Sequence, residues 1–244
     1  MASTTQDSTP ARANYGLDAP GVVRTMAIIA ILLLGGGLAL RANAMEQLGT
    51  SLLWPGGSFG AAALLMIWSS RFGKLRARDR LLDAIPFRGD ETVLDVGCGH
   101  GLLLIGAARR VPRGRAIGVD LWSQVDQHAN SAEATLANAR AEGVADRVTV
   151  QDGDMRALPF ENGSINVVVS SLAIHNVEKA GERAKAIAEI VRVLAPGGRV
   201  ALLDIAHVGE YASALRAGGM TVDRVGFTPW IFPPTRELHA HKPA

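Results

Sequence analysis

The sequence predicts an α/β fold with a mostly parallel, doubly wound sheet, preceded by two apolar helices. Residues 93–96 form an apolar run typical of a strand that is buried on both faces. This run passes directly into a glycine-rich turn at 97–101 and then into a helical pattern at 102–110. Further apolar runs and helical patterns alternate down the chain, whereas residues 25–40 and 52–68 contain no charged residue at all.

The glycine-rich turn predicts a nucleotide-cofactor loop. Gly97, Gly99 and Gly101 stand at alternate positions, so the backbone can turn tightly and approach a ligand that a Cβ would hold away. A dinucleotide fingerprint is Gly-x-Gly-x-x-Gly, and here the third glycine comes one residue early. The spacing therefore favours S-adenosylmethionine over NAD, although an ordinary glycine-rich turn accounts for the same triplet.

Acidic residues end the next two predicted strands. Asp120 closes the apolar run 115–120, where a ribose would lie and where a carboxylate accepts hydroxyl groups, unless it is only a solvated acid at the end of a strand. Asp154 and Met155 follow the third run, where a carboxylate accepts from an adenine amino group and a methionine covers the ring. Simple core filling is the alternative for Met155.

From about residue 90 onward the chain resembles the class I S-adenosylmethionine-dependent methyltransferases. It is most similar to methyltransferases of type 11, the broad group that includes those of ubiquinone and menaquinone biosynthesis. The motifs that carry the resemblance occur in the family order and read VLDVGCGHG, the acid of GVD, GDM, INVVVSSLAIHNV and RVLAPGGRV.

This resemblance implies a Rossmann-like sheet of seven strands, mostly parallel, with a C-terminal antiparallel hairpin at 221–227 and 237–242. It also implies the cofactor S-adenosylmethionine and its site. The cofactor-binding residues implied for the methionine part, the ribose, the adenine and the rim of the crevice are Asp95, Gly97, Gly99, Gly101, Asp120, Leu121, Asp154, Met155, Ser170 and Ser171.

Two departures from the family pattern stand out. Ile165-Asn166 replaces the usual Phe-Asp before the fourth strand, which removes a charge that fixes the local backbone. An apparent insertion covers 122–131, where Trp122 is a candidate to pack near the adenine. Asn130 or Ser131 is a candidate to cap the following helix.

The two uncharged segments predict a transmembrane hairpin at 22–70. Each is at the short end of the roughly 17–25 residues that span a bilayer, and their Gly and Pro residues are tolerated in lipid. A signal peptide, a single anchor and an interfacial pair are the alternatives.

Only one basic residue lies between the segments, whereas Arg and Lys crowd residues 71–80, so both ends and the catalytic domain should face the cytoplasm. The same basic cluster either sets topology only or binds anionic head groups.

The composition excludes several other classes of protein. A net charge of +2 concentrated beside the apolar segments gives no argument for nucleic acid as a partner. Cys98 is the single cysteine, so neither an intrachain disulfide nor a cysteine-based metal cage is expected. His239 and His241 lack a third ligand, and we predict no metal site.

A general base is optional for methyl transfer, since the reaction mainly requires the nucleophile and the methyl group to be close, aligned and dry. If the acceptor is a hydroxyl, His175 after the fourth strand is the catalytic candidate, and His207 is a weaker one. Capping of the helix predicted at 178–194 is the alternative role for His175 and Asn176.

We therefore predict a disordered tail at 1–21, the membrane hairpin at 22–70, a basic juxtamembrane linker or helix at 71–89, and a methyltransferase domain at 90–244. The predicted function is methyl transfer from S-adenosylmethionine to a small, hydrophobic or lipid-like acceptor resident in the membrane. An NAD-dependent oxidoreductase and an inactive, membrane-tethered interaction protein are the alternatives. The acceptor, the attacked atom and the oligomeric state stay open.

Overall fold

The computed structural model describes residues 13–122 and 130–244. The helices are α1 (Pro20–Ala42), α2 (Glu46–Trp68), α3 (Lys74–Asp83), α4 (Leu102–Ala108), α5 (Ala132–Ala141), α6 (Ala180–Val193) and α7 (Val208–Ala217). A π-helical turn covers Ser69–Gly73, and a 3₁₀ turn covers Ile174–Asn176. The strands are β1 (Thr92–Val96), β2 (Arg115–Asp120), β3 (Val148–Asp152), β4 (Ile165–Ser171), β5 (Leu194–Asp204), β6 (Thr221–Thr228) and β7 (Thr235–His241).

The seven strands form one sheet in the order β3-β2-β1-β4-β5-β7-β6. The first five strands are parallel, and β7 runs antiparallel to both β5 and β6. The strand count and the antiparallel ending confirm the predicted fold. The order reverses between β1 and β4, which is where open α/β sheets form a ligand crevice at the carboxyl ends of the strands.

Each face of the sheet buries its own apolar core. One core holds side chains of α3 and α4, among them Leu81 and Leu104, against the sheet. The other packs α6 and α7, through residues such as Ile187 and Tyr211, on the opposite face. β4 is covered on both faces, and accordingly its central residues Val167, Val168 and Val169 are all apolar and buried.

Several element boundaries differ from the predicted ones. β5 begins at Leu194, before the Pro-Gly-Gly turn, because Leu194 pairs with Ile165 at the start of β4. Helix α6 begins at Ala180, and its N-cap residue Lys179 makes no side-chain capping bond, so the capping role proposed for His175 and Asn176 is wrong. Asn166, which replaces the usual acid, still fixes the local backbone, because its Oδ1 accepts from the Thr92 amide at 2.9 Å.

Helices α1 and α2 pack against each other along a seam of small residues. Buried positions recur every seven residues at Val23, Ala30 and Gly37 on α1 and at Gly49, Gly56 and Ala63 on α2, where Met66 is buried as well. A Cβ added to Gly37 would lie 2.8 Å from the carbonyl oxygen of Gly49. The glycines that lower helix propensity therefore permit close helix packing, as small residues do in membrane helices.

Residues 71–89, predicted as a basic juxtamembrane linker or helix, contain helix α3 and pack against the core of the sheet. Helix α2 continues without a break through the π-helical turn into α3, which buries Leu81 and Leu82 completely in the core. The basic side chains of this segment are mostly paired within the protein. Three form ion pairs: Lys74 with Asp18, Arg78 with Asp79, and Arg80 with Glu237. The guanidinium of Arg76 lies over the ring of Trp230.

The predicted disorder of the tail at 1–21 is wrong for its described part. Residues 13–19 pack against the domain, and the side chain of Tyr15 is buried in the core beside α3 and α4. Helix α1 begins at Pro20. Residues 1–12, and residues 123–129 of the predicted insertion, lie outside the described residues.

Candidate functional site

A cavity of about 690 Å³ opens at the carboxyl ends of β1, β2 and β4. Its volume lies within the roughly 300–1,000 Å³ of small-molecule sites. It collects most of the predicted cofactor residues from separate strands and loops. Those that line it are Asp95, Gly97, Gly99, Asp120, Leu121, Asp154, Met155 and Ser171.

The glycine-rich turn forms the floor of this cavity. Gly97 has a φ of 72°, and a Cβ on it would overlap the Cβ of Ala173. Gly101 has a φ of 83° at the start of α4, where a Cβ would lie 2.9 Å from Thr135 Cγ2. Both positions combine left-handed backbone with close packing on neighbouring protein atoms, so both require glycine. Gly97 lines the cavity, whereas Gly101, also predicted to bind the cofactor, does not.

Asp95 places a buried carboxylate beside the glycine-rich turn. Its Oδ2 accepts from the Leu104 amide at 2.8 Å, and its Oδ1 has no hydrogen-bond partner among the described residues. Burial, with a smaller effect from the charge of Asp120, raises the pKa of Asp95 to about 8, although the hydrogen bond from the Leu104 amide opposes both effects. An unsatisfied buried carboxylate favours a cationic ligand group at this point.

Asp120 holds the opposite side of the turn. Its Oδ2 accepts from the Gly99 amide at 2.8 Å, and its Oδ1 accepts from the Trp122 amide at 2.7 Å and from Asn130 Nδ2 at 3.3 Å. A carboxylate offers about four lone-pair sites, so Asp120 can still accept a ligand hydroxyl. Trp122 itself does not line the cavity, since its Nε1 donates to Asp152 Oδ1 at 2.5 Å.

Asp154 and Met155 line the cavity beyond the end of β3. The Asp154 carboxylate accepts from the Arg156 amide and Nε, both at 2.9 Å. The ion pair with Arg156 holds the pKa of Asp154 below its usual range. Asp154 therefore stays an ionised acceptor near the place predicted for the adenine.

The turn, the two carboxylates and the strand order together match a known family. Residues 93–198 match the family model described as a methyltransferase domain. An uncharacterized methyltransferase of Mycobacterium bovis, Mb0092, is 34% identical over 170 residues, which cover 66% of this chain and 79% of the relative. The chain belongs to the S-adenosylmethionine-dependent methyltransferase family.

Two further similarities support the membership in this methyltransferase family. The ubiquinone/menaquinone biosynthesis C-methyltransferase UbiE of Dinoroseobacter shibae is 31% identical over 131 residues, covering 54% of this chain and 49% of that protein. A solved S-adenosylmethionine-dependent methyltransferase of Aquifex aeolicus superposes with a TM-score of 0.56 at 18% identity, over 69% of this chain and 90% of that one. The chain spans only 32%, 34% and 57% of the lengths of three other curated relatives.

The cofactor of the methyltransferase family is S-adenosylmethionine, and the cavity fits it. Gly97 and Gly99 line the cavity with backbone, Asp95 offers an unsatisfied carboxylate to a cationic methionine group, and Asp120 offers free lone pairs to ribose hydroxyls. The family membership sets aside the NAD-dependent alternative.

Two of the predicted crevice residues differ in what they contact. Ser171, the last residue of β4, lines the cavity beside the glycine-rich turn. Ser170 lies within β4 rather than past it, and its hydroxyl donates to the Val96 carbonyl oxygen at 2.6 Å. Ser170 therefore joins two strands and does not line the site.

His175 is not among the residues that line the cavity, and its catalytic role stays a prediction. Its backbone amide donates to Asp204 Oδ2 at 3.1 Å, and its Nδ1 lies 2.6 Å from Asp204 Oδ1. The same buried carboxylate accepts from the hydroxyl of Tyr211 at 3.2 Å. The neighbours Ala173 and Asn176 line the cavity, whereas His175 does not. His175 therefore orders the loop after β4 through Asp204.

The site also contains residues that the sequence analysis did not single out as ligands. Tyr15, Asp18, Lys74, His100 and Ile231 all line the cavity. Three of them come from segments predicted to be a disordered tail and a linker, and Ile231 comes from the loop between β6 and β7. His100 stands inside the glycine-rich motif itself, which is the one sequence signal that marks it.

Proposed function

We propose that this chain is a membrane-anchored methyltransferase that transfers a methyl group from S-adenosylmethionine to a small hydrophobic or lipid-like acceptor. One observation carries the proposal: the cofactor cavity extends to the residues just before α1 and just after α2 and its π-helical turn. Asp18 lines it two residues before α1 begins, and Lys74 lines it at the start of α3, just past the π-helical turn that follows α2. An acceptor confined to a bilayer would meet the cavity there.

The exposed surfaces of α1 and α2 support membrane insertion. Both helices are long and apolar enough to cross a membrane by length and composition, and only 17% of each apolar window is buried. Large apolar side chains such as Ile31, Leu32, Trp54 and Leu64 are each more than two-thirds exposed. Water-soluble proteins rarely expose apolar patches of this extent, and lipid contact removes the unfavourable hydration.

The charges favour an orientation with the catalytic domain in the cytoplasm. The turn between α1 and α2 follows a single basic residue, Arg41, whereas Arg71 and the basic residues of α3 follow α2. Cytoplasmic flanks carry the excess of Arg and Lys in membrane proteins. Arg71 is exposed and is the residue of this group that remains available to anionic head groups.

When bound, S-adenosylmethionine supplies an electrophilic methyl group on a positively charged sulfur. The residues of this chain hold and shield the reacting groups. Asp120 accepts at the ribose, Asp95 balances positive charge at the methionine end, and Leu102 and Ile231 exclude water from the walls. Close alignment in a dry cavity lowers the barrier of a displacement reaction without a dedicated base.

A labelled-methyl assay on the full-length protein tests the proposal. The protein in lipid bilayer discs and the same protein in detergent would each receive radioactive S-adenosylmethionine, with extracted membrane lipids or with a set of water-soluble acceptors. We expect label in the lipid fraction, faster in bilayers, and none with Asp120→Ala. Equal turnover of a water-soluble acceptor in both preparations would overturn the membrane acceptor. Tight cofactor binding with no label in any fraction would favour the inactive, tethered interaction protein.

A further inference from the structure

The residues ahead of α1 form a wall of the cofactor cavity, although they are far from it in sequence. We call residues 13–18 the N-terminal segment. Tyr15 and Asp18 of this segment line the cavity, and the ring of Tyr15 is 92% buried, in the core beside α3 and α4. The burial of Tyr15 makes this segment a structural element of the site.

Lys74, the first residue of α3, binds the N-terminal segment through hydrogen bonds. Its ammonium donates to the carbonyl oxygens of Tyr15 and Gly16, each at 2.8 Å, and to Asp18 Oδ1 at 3.1 Å. These contacts use all three N–H groups of the side chain, which is only 4% exposed. Ser70 completes the attachment, since its hydroxyl donates to the other carboxylate oxygen of Asp18 at 3.1 Å.

A second set of contacts joins the N-terminal segment to the glycine-rich turn. Asn138 of α5 accepts from the Asn14 amide at 2.8 Å and donates to the carbonyl oxygens of Asn14 and His100, each at 2.9 Å. Gly16 packs so closely on the His100 ring that an added Cβ would lie 3.2 Å from it. The N-terminal segment therefore supports the backbone that cradles the cofactor.

We infer that Lys74 is a positioning residue that, through the N-terminal segment, shapes the glycine-rich turn for cofactor binding. The apolar hairpin then has a second role besides anchoring. Because the N-terminal segment precedes α1 and Lys74 follows α2, packing of the two helices brings the segment and its lysine together. The assembled hairpin is thus required to complete the cofactor site.

The test measures S-adenosylhomocysteine affinity and hydrogen–deuterium exchange in the full-length protein. We expect Lys74→Met to weaken binding by at least about tenfold, the change that 1.4 kcal/mol produces. Exchange should rise in the peptide containing the amides of Asn14 and Asp18, which donate to Asn138 and Ser70. Lys74→Arg keeps the charge and should recover part of the affinity.

Lys242→Met is a matched control, since Lys242 also donates to two backbone carbonyl oxygens, those of Val191 and Leu194, but lies outside the cavity. It should change neither readout. A deletion of residues 1–18 tests the same inference without touching Lys74, and it should weaken binding as Lys74→Met does. Thermal melting shows that each variant is folded. Full affinity in either folded variant would overturn the inference, and neither readout needs an acceptor or turnover.

Discussion

Asp95 and Asp120 lie on neighbouring parallel strands and line the same cavity, so the charge of one acts on the protonation of the other. Burial is the main cause that raises the pKa of Asp95 to about 8, and Asp120 adds to it. In the ligand-free protein at pH 7, Asp95 is therefore mostly protonated. A cationic ligand group beside Oδ1 would favour the ionised form, which couples cofactor binding to the loss of a proton.

Cofactor binding should therefore release a proton below pH 8. The affinity for S-adenosylmethionine should rise with pH between 6 and 8, by up to about tenfold per unit, and level off above 8. Titration calorimetry in buffers with different heats of ionisation measures the proton release directly. Asp95→Asn has nearly the same shape and cannot ionise, so it should bind more weakly and with buffer-independent heats. Identical heats for the native protein in all buffers would contradict the assignment.

The same pKa shift has a consequence for stability, with the sign opposite to that of a salt-bridged acid. The pKa of Asp95 rises from about 3.9 in the unfolded chain to about 8 in the folded protein. The folded state therefore binds more protons between these values, and the contribution of Asp95 to stability falls as pH rises from 4 to 8. Melting temperatures of the ligand-free protein should fall less steeply with pH in Asp95→Asn over this window. An identical slope in both proteins would show that Asp95 ionises normally.

Asp120→Asn should weaken cofactor binding more than it weakens folding. It removes the charge that accepts the Gly99 and Trp122 amides and the ribose hydroxyls, and charge-assisted hydrogen bonds contribute about 1.5–3 kcal/mol each. We expect a loss of affinity for S-adenosylhomocysteine of about 10- to 100-fold. Asp146→Asn is the control, because Asp146 is exposed, pairs with Arg147 and lies outside the cavity. Equal affinity losses in the two variants would mean that the effect is not local.

The fold and the cofactor half of the site were predictable because their signals are local. The glycines at 97, 99 and 101 lie within one turn, and Asp120 ends a strand in the adjacent βαβ unit. The apolar runs also place the first four strands within a few residues, whereas β5 begins at Leu194, before the Pro-Gly-Gly turn, and the last two strands were implied by the family resemblance. The shape of the cavity floor follows directly from these short stretches of sequence.

The other half of the site depends on contacts between distant residues that no local pattern marks. Residues 13–18 are too few to show a period, and they follow a polar stretch at 1–10 that is rich in Ser and Thr, which is the composition of a disordered tail. Their order comes from Lys74 and Asn138, which lie 59 and 124 residues from their partners in sequence. A basic residue beside an apolar segment indicates topology in a sequence, and only the packed structure shows that Lys74 is buried.

His175→Gln should lower stability without changing cofactor affinity. The change removes an imidazole that lies 2.6 Å from the buried carboxylate of Asp204, and breaking such a pair leaves an uncompensated charge. Melting temperature and S-adenosylhomocysteine affinity measure the two effects separately, with Asp204→Asn as the partner variant. If folded His175→Gln bound the cofactor normally but lost methyl transfer and one limb of the pH–rate profile, the predicted catalytic role would be correct instead.

Gly97→Ala should abolish cofactor binding for two separable reasons. The new Cβ overlaps Ala173, and the φ of 72° costs an L-residue about 1–2 kcal/mol. The double variant Gly97→Ala, Ala173→Gly removes the overlap and leaves the backbone cost, so it should recover only part of the affinity measured by calorimetry.

Gly209→Ala is the control, since no atom lies within 4 Å of a Cβ there and the residue is in α7. Because a helical alanine is favoured over glycine, this control should bind normally and melt at an equal or higher temperature. Full recovery in the double variant would show that close packing alone requires the glycine, and no recovery would assign its role to the backbone.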